Sequence, residues 1–367
     1  MTAGHKLNRQ ITVNLSLGLL VFFVTASAQN VLAQATVYNR NDTSIANWWD
    51  GGNPWWYGSA PAQNRPDNSW GGQTRHNVIY DHNNNTSSSV NGAFFGLRSL
   101  TFASTASSAR TFTGSGSGAG ISLTDGLTNN SAATMTFNVD IGIDGSSVTF
   151  NAGSGQLVFN WSIFGNANSM TFSGNNNINV AAVVSGAGGG TITKSGSGVL
   201  TFGNAANSHD KVISITGGKV SISASRHLGG DPTGFYGGKI SLNGGTLLTT
   251  ASFGLNSNYG TTLGANHGTV EVASGTTLDF NPVITGSGNF TKTGAGTVIF
   301  VANNTYTGST TITEGTVRLN GNNRIADTSS INLGGGTLQA SGTVSDSMGA
   351  LNVTSTGTID LGSGTAT

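Results

Sequence analysis

The side chains best suited to acid–base chemistry are carboxylates, and this chain offers few arrangements of them. Glu271 and Glu314 are its only glutamates. Asp140 and Asp144 fall on one face of a predicted strand, where a rise of about 3.3 Å per residue separates them by roughly 13 Å. Glycosidase carboxylates lie about 5 to 9.5 Å apart. We therefore interpret both as solvated outward positions, although acids from a neighbouring part of the fold could still meet them.

Histidine chemistry is equally weakly indicated. Asp81 precedes His82 and His209 precedes Asp210, but adjacent residues of a strand point to opposite faces. No His-Glu-x-x-His spacing or other metal-ligand pattern appears. Five histidines are scattered through predicted turns: His76, His82, His209, His227 and His267. We expect no metal site, no cofactor and no catalytic residue.

Other catalytic signatures are also missing from the sequence. There is no Gly-x-Ser-x-Gly nucleophile elbow, no Walker-type phosphate loop and no Gly-Gly-x-Gly-x-Asp calcium repeat. The chain has no cysteine, which excludes disulfides, thiol chemistry and Cys-ligated metals. The sequence thus predicts that the protein is not an enzyme.

Aromatic residues near the N-terminus form the remaining candidate site. Five of the six tryptophans lie between residues 36 and 100: Trp48, Trp49, Trp55, Trp56 and Trp70. Aromatic rings bury large areas, and solenoids need capped ends, so we prefer a cap over the first coil. The alternative is an aromatic platform that stacks on sugar rings.

A string of ten residues that occurs twice, with few differences, indicates the elements that carry these residues. TKSGSGVLTF at Thr193–Phe202 returns as TKTGAGTVIF at Thr291–Phe300, about 98 residues later. The flanking segments match in the same order, which divides the chain into two diverged blocks, about 183–282 and an incomplete 283–367. A fixed period of this kind is typical of stacked supersecondary units.

Composition and periodicity predict what is stacked. Charged residues are 8% of the chain and glycine contributes 56 residues. Apolar and polar residues alternate from Met135 to Asp144, which is the period of a strand with one buried face. Shorter runs include Leu157–Phe159 and Leu351–Val353, separated by Gly-rich and Asn-rich turns. We predict an all-β solenoid of parallel coils, roughly 20 to 25 residues each and about a dozen in number.

The N-terminus predicts export. Lys6 and Arg9 precede an apolar stretch, Leu15–Val24, that is short for a membrane span, and small residues follow. We predict a signal peptide at residues 1–35. Without its two basic residues the chain keeps 13 basic and 15 acidic residues. That balance excludes nucleic acid as a partner. Residues 36–100 then form the Trp-rich cap and residues 101–367 the solenoid.

One segment is close enough to a known family to be compared with it. Lys292–Gly321 resembles the autotransporter-associated β-strand repeat, also called the passenger-associated transport repeat, of bacterial surface proteins. The copy that begins at Lys194 keeps Gly196 and Gly198 but departs after Phe202, reading Asn207-Ser208-His209 where the later copy has Tyr306-Thr307-Gly308. The resemblance rests on these residues: Gly294, Gly296, Asn304, Tyr306, Thr307, Gly308, Thr310, Thr311, Ile312, Gly315, Val317 and Leu319.

The resemblance implies a right-handed parallel β-helix outside the cell, often the passenger of an autotransporter, whose repeats assist export and folding. The usual partner would be a translocator barrel, but no series of alternating strands for one is visible. The chain stops at Leu361–Gly364, where the earlier block continues beyond Gly286. We therefore expect a fragment of a longer protein rather than a complete short secreted one.

Together these observations predict a secreted or surface-displayed structural or adhesin-like solenoid. The alternative is an extracellular polysaccharide-binding or polysaccharide-degrading β-helix protein. In either case the predicted partners are extracellular glycans or host and matrix surfaces. The predicted location is the cell surface or outer membrane of a Gram-negative-type bacterium. A third interpretation, self-assembly into fibres through exposed end coils, follows from the unpaired backbone of a terminal coil.

Overall fold

A computed structural model of the chain describes residues 37–39, 76–80, 87–91, 94–115 and 118–362. In these ranges the backbone forms short strands joined by turns, with one 3-10 helix at Ser225–Leu228. The earlier strands are β1 Val37–Asn39, β2 His76–Tyr80, β3 Ser87–Asn91, β4 Phe94–Phe102, β5 Arg110–Ser115, β6 Gly120–Asn129, β7 Met135–Asn138, β8 Asp140–Ile143, β9 Ser147–Ala152, β10 Leu157–Phe159, β11 Ile163–Phe164, β12 Ser169–Gly174, β13 Ile178–Val180, β14 Val184–Ser185, β15 Thr191–Lys194 and β16 Val199–Phe202. The later strands are β17 Val212–Ile215, β18 Lys219–Ile222, β19 Tyr236–Leu242, β20 Thr246–Thr249, β21 Phe253–Gly254, β22 Tyr259–Leu263, β23 Gly268–Val272, β24 Thr277–Phe280, β25 Ile284–Gly286, β26 Phe290–Thr293, β27 Thr297–Phe300, β28 Thr310–Ile312, β29 Thr316–Leu319, β30 Ile331–Leu333, β31 Thr337–Ala340, β32 Leu351–Val353 and β33 Thr358–Asp360.

The described strands pair into three parallel sheets. The first sheet has 14 strands and follows β1-β2-β4-β6-β9-β12-β15-β17-β19-β22-β25, with β8, β11 and β14 attached beside this path. The second sheet has 13 strands, β3-β5-β7-β10-β13-β16-β18-β20-β23-β26-β28-β30-β32. The third sheet has 6 strands, β21-β24-β27-β29-β31-β33. From β2 onward the chain visits the other faces before it returns to the same sheet, which makes a β-solenoid.

Successive coils have similar but unequal lengths. Met135 in β7 is paired with Leu157 in β10, 22 residues later. From β2 onward the separation of paired residues ranges from 19 residues, between Val298 and Val317, to 27 residues, as between Val220 and Leu247. The coil from Val220 to Leu247 contains the 3-10 helix, whose His227 and Leu228 are buried, and β18 and β20 still pair in unbroken register.

The core is a column of inward side chains. In β10, for example, Leu157 and Phe159 are buried while Val158 between them is half-buried. Aromatic rings stack from coil to coil: the ring centroids of Phe112 and Phe137 are 4.9 Å apart, and those of Phe137 and Phe159 5.1 Å apart. Such pairs add about 0.5–1.5 kcal/mol beyond the burial of their area. The column therefore stabilises each coil through its immediate neighbours.

The two near-duplicate strings occupy different faces of the solenoid. Thr193 and Lys194 lie in β15 of the first sheet, whereas Thr291 and Lys292 lie in β26 of the second sheet. From β15 the first sheet continues through β17, β19 and β22 to β25, and the chain then moves one face further on to β26. The period of about 98 residues thus equals four full turns of the solenoid plus the step from the first sheet to the second. The later block is therefore rotated about the solenoid axis by one face relative to the earlier block.

The fold class predicted from the sequence is confirmed, as are the parallel coils and their number. The predicted strands Leu157–Phe159 and Leu351–Val353 match β10 and β32. The alternating run from Met135 is broken into β7 and β8 by a bend at Val139, because the chain turns a corner there while keeping its buried parity.

Strand pairing begins before residue 101, where the solenoid was predicted to start. Strands β2, β3 and β4 already pair in the first and second sheets, so coils form before residue 101. The cap remains a prediction for the residues before His76, of which the structure describes only Val37–Asn39. The predicted signal peptide lies outside the described residues. Among the described residues, no helix is long and apolar enough to span a bilayer.

Candidate functional site

Two lysines at matching positions of the near-duplicate strings point into the core. Lys194 ends β15 and is 1% exposed, and Lys292 in β26 is 0% exposed. Alternation along β15 places Lys194 on the same buried face as Ile192. A buried ammonium needs acceptors for its protons, since its transfer out of water is otherwise costly.

Backbone carbonyl oxygens supply those acceptors, and the same positions do so in both copies. The oxygens around the Lys194 Nζ belong to Ser195 at 2.5 Å, Gly196 at 2.9 Å and Gly217 at 3.5 Å. Those around the Lys292 Nζ belong to Thr293 at 2.7 Å, Gly294 at 2.6 Å and Glu314 at 3.2 Å. We call each set a lysine cage. Its third oxygen comes from the following coil, so each cage joins two coils.

A glycine closes each cage. Gly315 has φ of 67°, and a Cβ atom there would lie 2.7 Å from the Lys292 Nζ and closer still to two carbonyl oxygens. Gly218, with φ of 60°, stands in the same relation to Lys194. A left-handed backbone and the missing Cβ are both needed at this point. The predicted signature residue Gly315 therefore has a specific packing partner.

Burial governs the charge of the caged lysines. Desolvation lowers the pKa of Lys194 and that of Lys292 to about 8, and for Lys292 the carboxylates of Glu314 and Glu271 act in the opposite direction. A pKa of about 8 keeps both ammonium groups protonated at pH 7. The cages are then occupied by cations that belong to the protein itself.

Asn304, another predicted signature residue, joins three coils. Its Oδ1 accepts a hydrogen bond from the backbone N–H of Ile284 at 2.8 Å, and its Nδ2 donates to the carbonyl oxygen of Arg324 at 2.7 Å. Each partner is 20 residues away, one coil before and one coil after. We call this arrangement the asparagine bridge.

The earlier copy has the same bridge at Asn207. Its Oδ1 accepts from the N–H of Val184 at 2.7 Å and its Nδ2 donates to the carbonyl of His227 at 2.8 Å. The sequence comparison that set Asn207 against Tyr306 was therefore wrong. The loop after Phe202 is one residue longer than the loop after Phe300, which displaces the motif along the sequence without removing it.

When the two copies are aligned on Asn207 and Asn304, His209 occupies the position of Tyr306. Tyr306 is fully buried and its hydroxyl hydrogen-bonds the Oγ1 of Thr310, which is 3.1 Å from the Oγ of Ser329. His209 is also fully buried, but neither ring nitrogen has a hydrogen-bond partner among the described residues. Desolvation, and then the charges of Lys239 and Lys211, lower the pKa of His209 to about 3.

Two more lysines are buried beside this histidine. The Nζ of Lys211 donates to the carbonyl oxygens of Asn166 and of Gly189, the latter at 2.9 Å. The Nζ of Lys239 donates to the carbonyl oxygen of Lys211 at 2.6 Å, and desolvation lowers its pKa to about 8. Carbonyl ligation of a buried ammonium thus recurs outside the two cages.

The other signature residues line the same turns. Thr311 faces outward on β28 and pairs with Thr291, while Thr307 is exposed and donates its N–H to the carbonyl oxygen of Gly286 at 2.9 Å. The remaining signature glycines lie where a Cβ would crowd a carbonyl oxygen of the preceding coil: Gly196, Gly198, Gly294, Gly296 and Gly308. These positions define how closely successive turns approach.

The candidate catalytic residues are placed in structural hydrogen bonds. Asp140 accepts from the N–H of Ser162 at 3.1 Å, and Asp144 accepts from the hydroxyl of Ser122. Within the described ranges, no three His, Asp or Glu side chains converge as a metal site. The carboxylate of Asp210 accepts from the N–H groups of Gly188 and Gly189, on the preceding coil.

The five tryptophans of the predicted stacking surface, Trp48, Trp49, Trp55, Trp56 and Trp70, lie outside the described residues. Trp161, the sixth, is described and is 40% exposed. It follows β10 on the outside of the solenoid. An exposed aromatic ring is therefore present at a position that the sequence argument did not single out.

Sequence reasoning missed the caged lysines although two signals were available. Lysine stands at the same place in both strings, in a chain with only 15 Lys and Arg residues. Both lysines also have the parity of buried positions. The general expectation that lysine stays at the surface obscured this reading. The acceptors were not readable, because one of the three belongs to the next coil.

Comparison with known proteins places the two copies in a family. The family described as Passenger-associated-transport-repeat matches residues 192–222 and 290–319. These two segments contain both lysine cages, so the chain carries two repeats of this kind, as the resemblance predicted. Over 131 residues the chain is 34% identical to the protein named Adhesin BmaC autotransporter from Brucella suis biovar 1 (strain 1330). The aligned part covers 32% of this chain and 4% of that protein. No solved structure matches the chain.

Proposed function

We propose that this chain, which carries two passenger-associated transport repeats, is a surface-displayed, adhesin-like part of an autotransporter passenger. The observation that carries the proposal is the pair of lysine cages and asparagine bridges inside the two matched segments. They join successive coils into one stack, and within the described part of the chain no three His, Asp or Glu side chains converge. The similarity to an autotransporter adhesin supports the same role.

The repeats also suit a role in export and folding. Asn304 bonds to residues one coil before and one coil after itself, and each cage is completed by the following coil. Contacts of such short sequence separation allow a stack to grow from one end, because each coil needs only its neighbour. A chain that emerges from a pore would fold coil by coil outside the cell.

This role assigns partners and a location. The signal peptide predicted at residues 1–35 would direct the chain across the inner membrane, and a translocator barrel would take it across the outer membrane. The mature solenoid would face the medium, where glycans, host surfaces or matrix components are its candidate ligands. Display at the surface fits a described surface of neutral Thr, Ser and Asn rows.

Adhesion is tested by displaying the full chain on a non-adherent Gram-negative host, fused to a translocator barrel. Attachment of these cells to epithelial monolayers and to matrix-coated wells is counted against the same host with the barrel alone. We expect more attached cells with the chain. Equal attachment on every surface, with display verified by antibody on intact cells, would refute the adhesin role.

The export role is tested in the same host with the double variant Lys292→Met and Asn304→Ala. We expect less protease-accessible chain on intact cells, because the second repeat no longer joins its neighbouring coils. The matched control is Lys219→Met, which removes a lysine from the surface of β18. If the double variant exposes as much protease-accessible chain as the control does, the second repeat has no part in export.

The alternative, a polysaccharide-binding or polysaccharide-degrading β-helix, differs in its products. Incubation of the purified protein with plant, algal and bacterial glycans should release neither reducing ends nor unsaturated ends if the chain is not an enzyme. Either product would overturn the non-catalytic proposal. Binding without turnover that is abolished by replacing Trp55 and Trp56 would instead support the stacking surface predicted in the N-terminal segment.

A further inference from the structure

A cluster of polar side chains surrounds Asp231, in the coil between β18 and β20 and outside the cages and bridges. Asp231 follows the 3-10 helix and directly precedes Pro232. The sequence contains one Asp-Pro pair, at this place. An aspartate carboxylate can reach the carbonyl carbon of its own residue through a five-membered ring. The ring nitrogen of proline accepts a proton and leaves more readily than an ordinary amide nitrogen. An Asp–Pro bond is therefore open to attack by its own side chain.

Two side chains hold the carboxylate of Asp231. The Nδ2 of Asn256 donates to its Oδ1 at 3.0 Å, and the Nε of Arg226 lies 3.7 Å from its Oδ2. Asn256 is itself fixed, since its Oδ1 accepts from the N–H of Asn258 at 2.9 Å and its N–H donates to the Oγ of Ser225 at 2.9 Å. The amide of Asn256 is therefore oriented with its donor toward the carboxylate.

The backbone on both sides of the Asp231–Pro232 bond is held by the following coil. The carbonyl oxygen of Gly230 accepts from the hydroxyl of Tyr259 at 3.2 Å, and that of Pro232 accepts from the Nδ2 of Asn258 at 2.9 Å. Desolvation raises the pKa of Tyr259, which keeps its hydroxyl protonated and donating. The fold thus fixes both the residue that carries the nucleophile and the residue that carries the leaving nitrogen, which favours an intramolecular reaction.

Solvent reaches this cluster. The side chains of Arg226 and Asp231 are 54% and 45% exposed. Arg226 is the charged group that faces the carboxylate from the 3-10 helix, and Tyr259 is the titratable group that faces it from β22. Water can therefore supply both the proton for the leaving nitrogen and the molecule that completes a hydrolysis.

We infer that the Asp231–Pro232 bond is a self-cleavage site. A carboxylate oxygen of Asp231 bonds to the carbonyl carbon of the same residue, the C–N bond to Pro232 breaks, and the nitrogen leaves with a proton from solvent. Water then opens the cyclic anhydride, so Asp231 becomes a C-terminus and Pro232 an N-terminus. Each cleavage consumes one water and needs no oxidant, reductant or cofactor. This processing goes beyond the adhesin role and does not depend on it.

Cleavage leaves the solenoid assembled. Strands β17 and β18 lie before the bond, β19 and β20 lie after it, and the pairs β17–β19 and β18–β20 cross it. The Nζ of Lys239 also donates to the carbonyl oxygen of Lys211, at 2.6 Å, across the same place. The cut therefore separates the two matched repeats covalently while the ladders continue to join them. A denaturant is needed to part the two fragments.

The test is incubation of the purified full chain at 37 °C, at pH 5 and at pH 7, with protease inhibitors present. Denaturing electrophoresis and intact-mass measurement should show two fragments, one ending at Asp231 and one beginning at Pro232. Their masses should add up to that of the chain plus one water, and native electrophoresis should show one species. Cleavage should be faster at pH 5, because the leaving nitrogen takes up a proton.

The contribution of the fold is measured by comparing the native chain with the same chain in guanidinium chloride at pH 5. The native chain should be cleaved roughly tenfold faster or more, because the fold holds the reacting groups in place. Equal rates would reduce the site to the ordinary lability of an Asp–Pro bond and overturn the inference.

Asn256 is a positioning residue in this scheme. Asn256→Asp keeps the acceptor for the N–H of Asn258 but replaces the donor to Asp231 with a negative charge. It should slow cleavage and change its pH profile, since like charges disfavour the ionised carboxylate. An unchanged rate and pH profile would show that Asn256 has a structural role only.

Asn281–Pro282 is the matched control bond in the same chain. It has the same leaving group but an amide in place of the carboxylate, so it should stay intact. Asp231→Asn gives the candidate bond this chemistry and should abolish cleavage, with thermal unfolding unchanged because the side chain is exposed in a loop. The site is refuted if the wild-type chain stays intact at both pH values, or if Asp231→Asn is cleaved as the wild type is.

Discussion

The two matched repeats, residues 192–222 and 290–319, keep the same buried anchors and differ in what surrounds them. Both have a lysine cage, a closing glycine and an asparagine bridge. The earlier repeat has unpartnered His209 where the later one has hydrogen-bonded Tyr306, and it uses the first and second sheets rather than the second and third. The anchors are therefore independent of the face on which they are built.

The residues that both copies share are the ones that hold the repeat together. Turn glycines are numerous along the whole chain, but the lysine and asparagine each satisfy several backbone groups that belong to different coils. Buried backbone groups need partners, and one side chain that serves two or three coils fixes their relative positions. Substitutions can remove these shared anchors or the features in which the two repeats differ.

The largest effect is expected from Gly315→Ala. A Cβ atom would collide with the Lys292 cage, and the residue would be forced into a left-handed conformation, so we expect a loss of about 3 kcal/mol or more in the free energy of unfolding. Gly275 also has a positive φ, of 74°, but open space around it. Gly275→Ala should lose only about 1 kcal/mol in denaturant titrations; equal losses for both would show that the cage tolerates the methyl group.

Acid should destabilise the earlier repeat through His209. Its pKa is about 3 in the folded protein against an ordinary value of 6.5, so the unfolded chain takes up the proton first and stability falls as the pH drops from about 6.5 toward 3. Between pH 7 and pH 4 the expected loss is about 3 kcal/mol.

His209→Leu has a similar volume and no proton to bind, so it should remove most of this loss when denaturation midpoints at pH 7 and pH 4 are compared. Tyr306→Phe is the control in the later repeat, and it should lose about 1 kcal/mol at both pH values because a neutral hydrogen bond is removed. An unchanged pH dependence in His209→Leu would assign the acid response to another group, such as buried His227.

Removal of a caged ammonium should have an intermediate effect. Lys292→Met and Lys194→Met each keep the length of the side chain but leave carbonyl oxygens without a donor, so we expect each to lower the free energy of unfolding by about 1–3 kcal/mol. Similar losses in both variants would confirm that the cage is a common element of the repeats. A gain in stability for both would show that desolvation of the ammonium outweighs its hydrogen bonds.

The smallest effect is expected at the surface. Lys219 forms an ion pair with Glu271 at 2.6 Å, with side chains 40% and 27% exposed. Lys219→Met should change the free energy of unfolding by less than about 1 kcal/mol, as is usual for solvent-exposed pairs. A loss as large as that of Lys292→Met would remove the distinction between caged and surface lysines.

The fold was predictable because its rules are local. Alternation and Gly-rich turns located strands such as Leu157–Phe159, and the recurrence of one string indicated stacking. The face assigned to each block was not predictable, since it depends on the summed lengths of irregular loops. The bridge of the earlier copy was missed for the same reason. One extra residue between Phe202 and Asn207 shifts Asn207 in the sequence alignment, although its hydrogen bonds place it at the same position in the coil as Asn304.

The candidate site was less predictable than the fold. Gly315 and Asn304 were identified by resemblance, but their partners are contributed by other coils and appear only in three dimensions. Trp161 lies outside the Trp-rich segment and was not singled out from the sequence, and its approach to Gly114 comes from the stacking of coils. The contacts between coils are therefore the part of the site that could not be predicted from the sequence.

The period of four turns and one face has a consequence for any longer array of such blocks. Each block would present its outward features one face further around the axis, so three blocks, or about thirteen coils, would bring them back to the starting direction. At about 4.8 Å per coil this screw would repeat roughly every 60 Å. A fibre built in this way would present the same features in every direction around its axis. Its contact with a surface would therefore not depend on the rotation of the fibre about that axis.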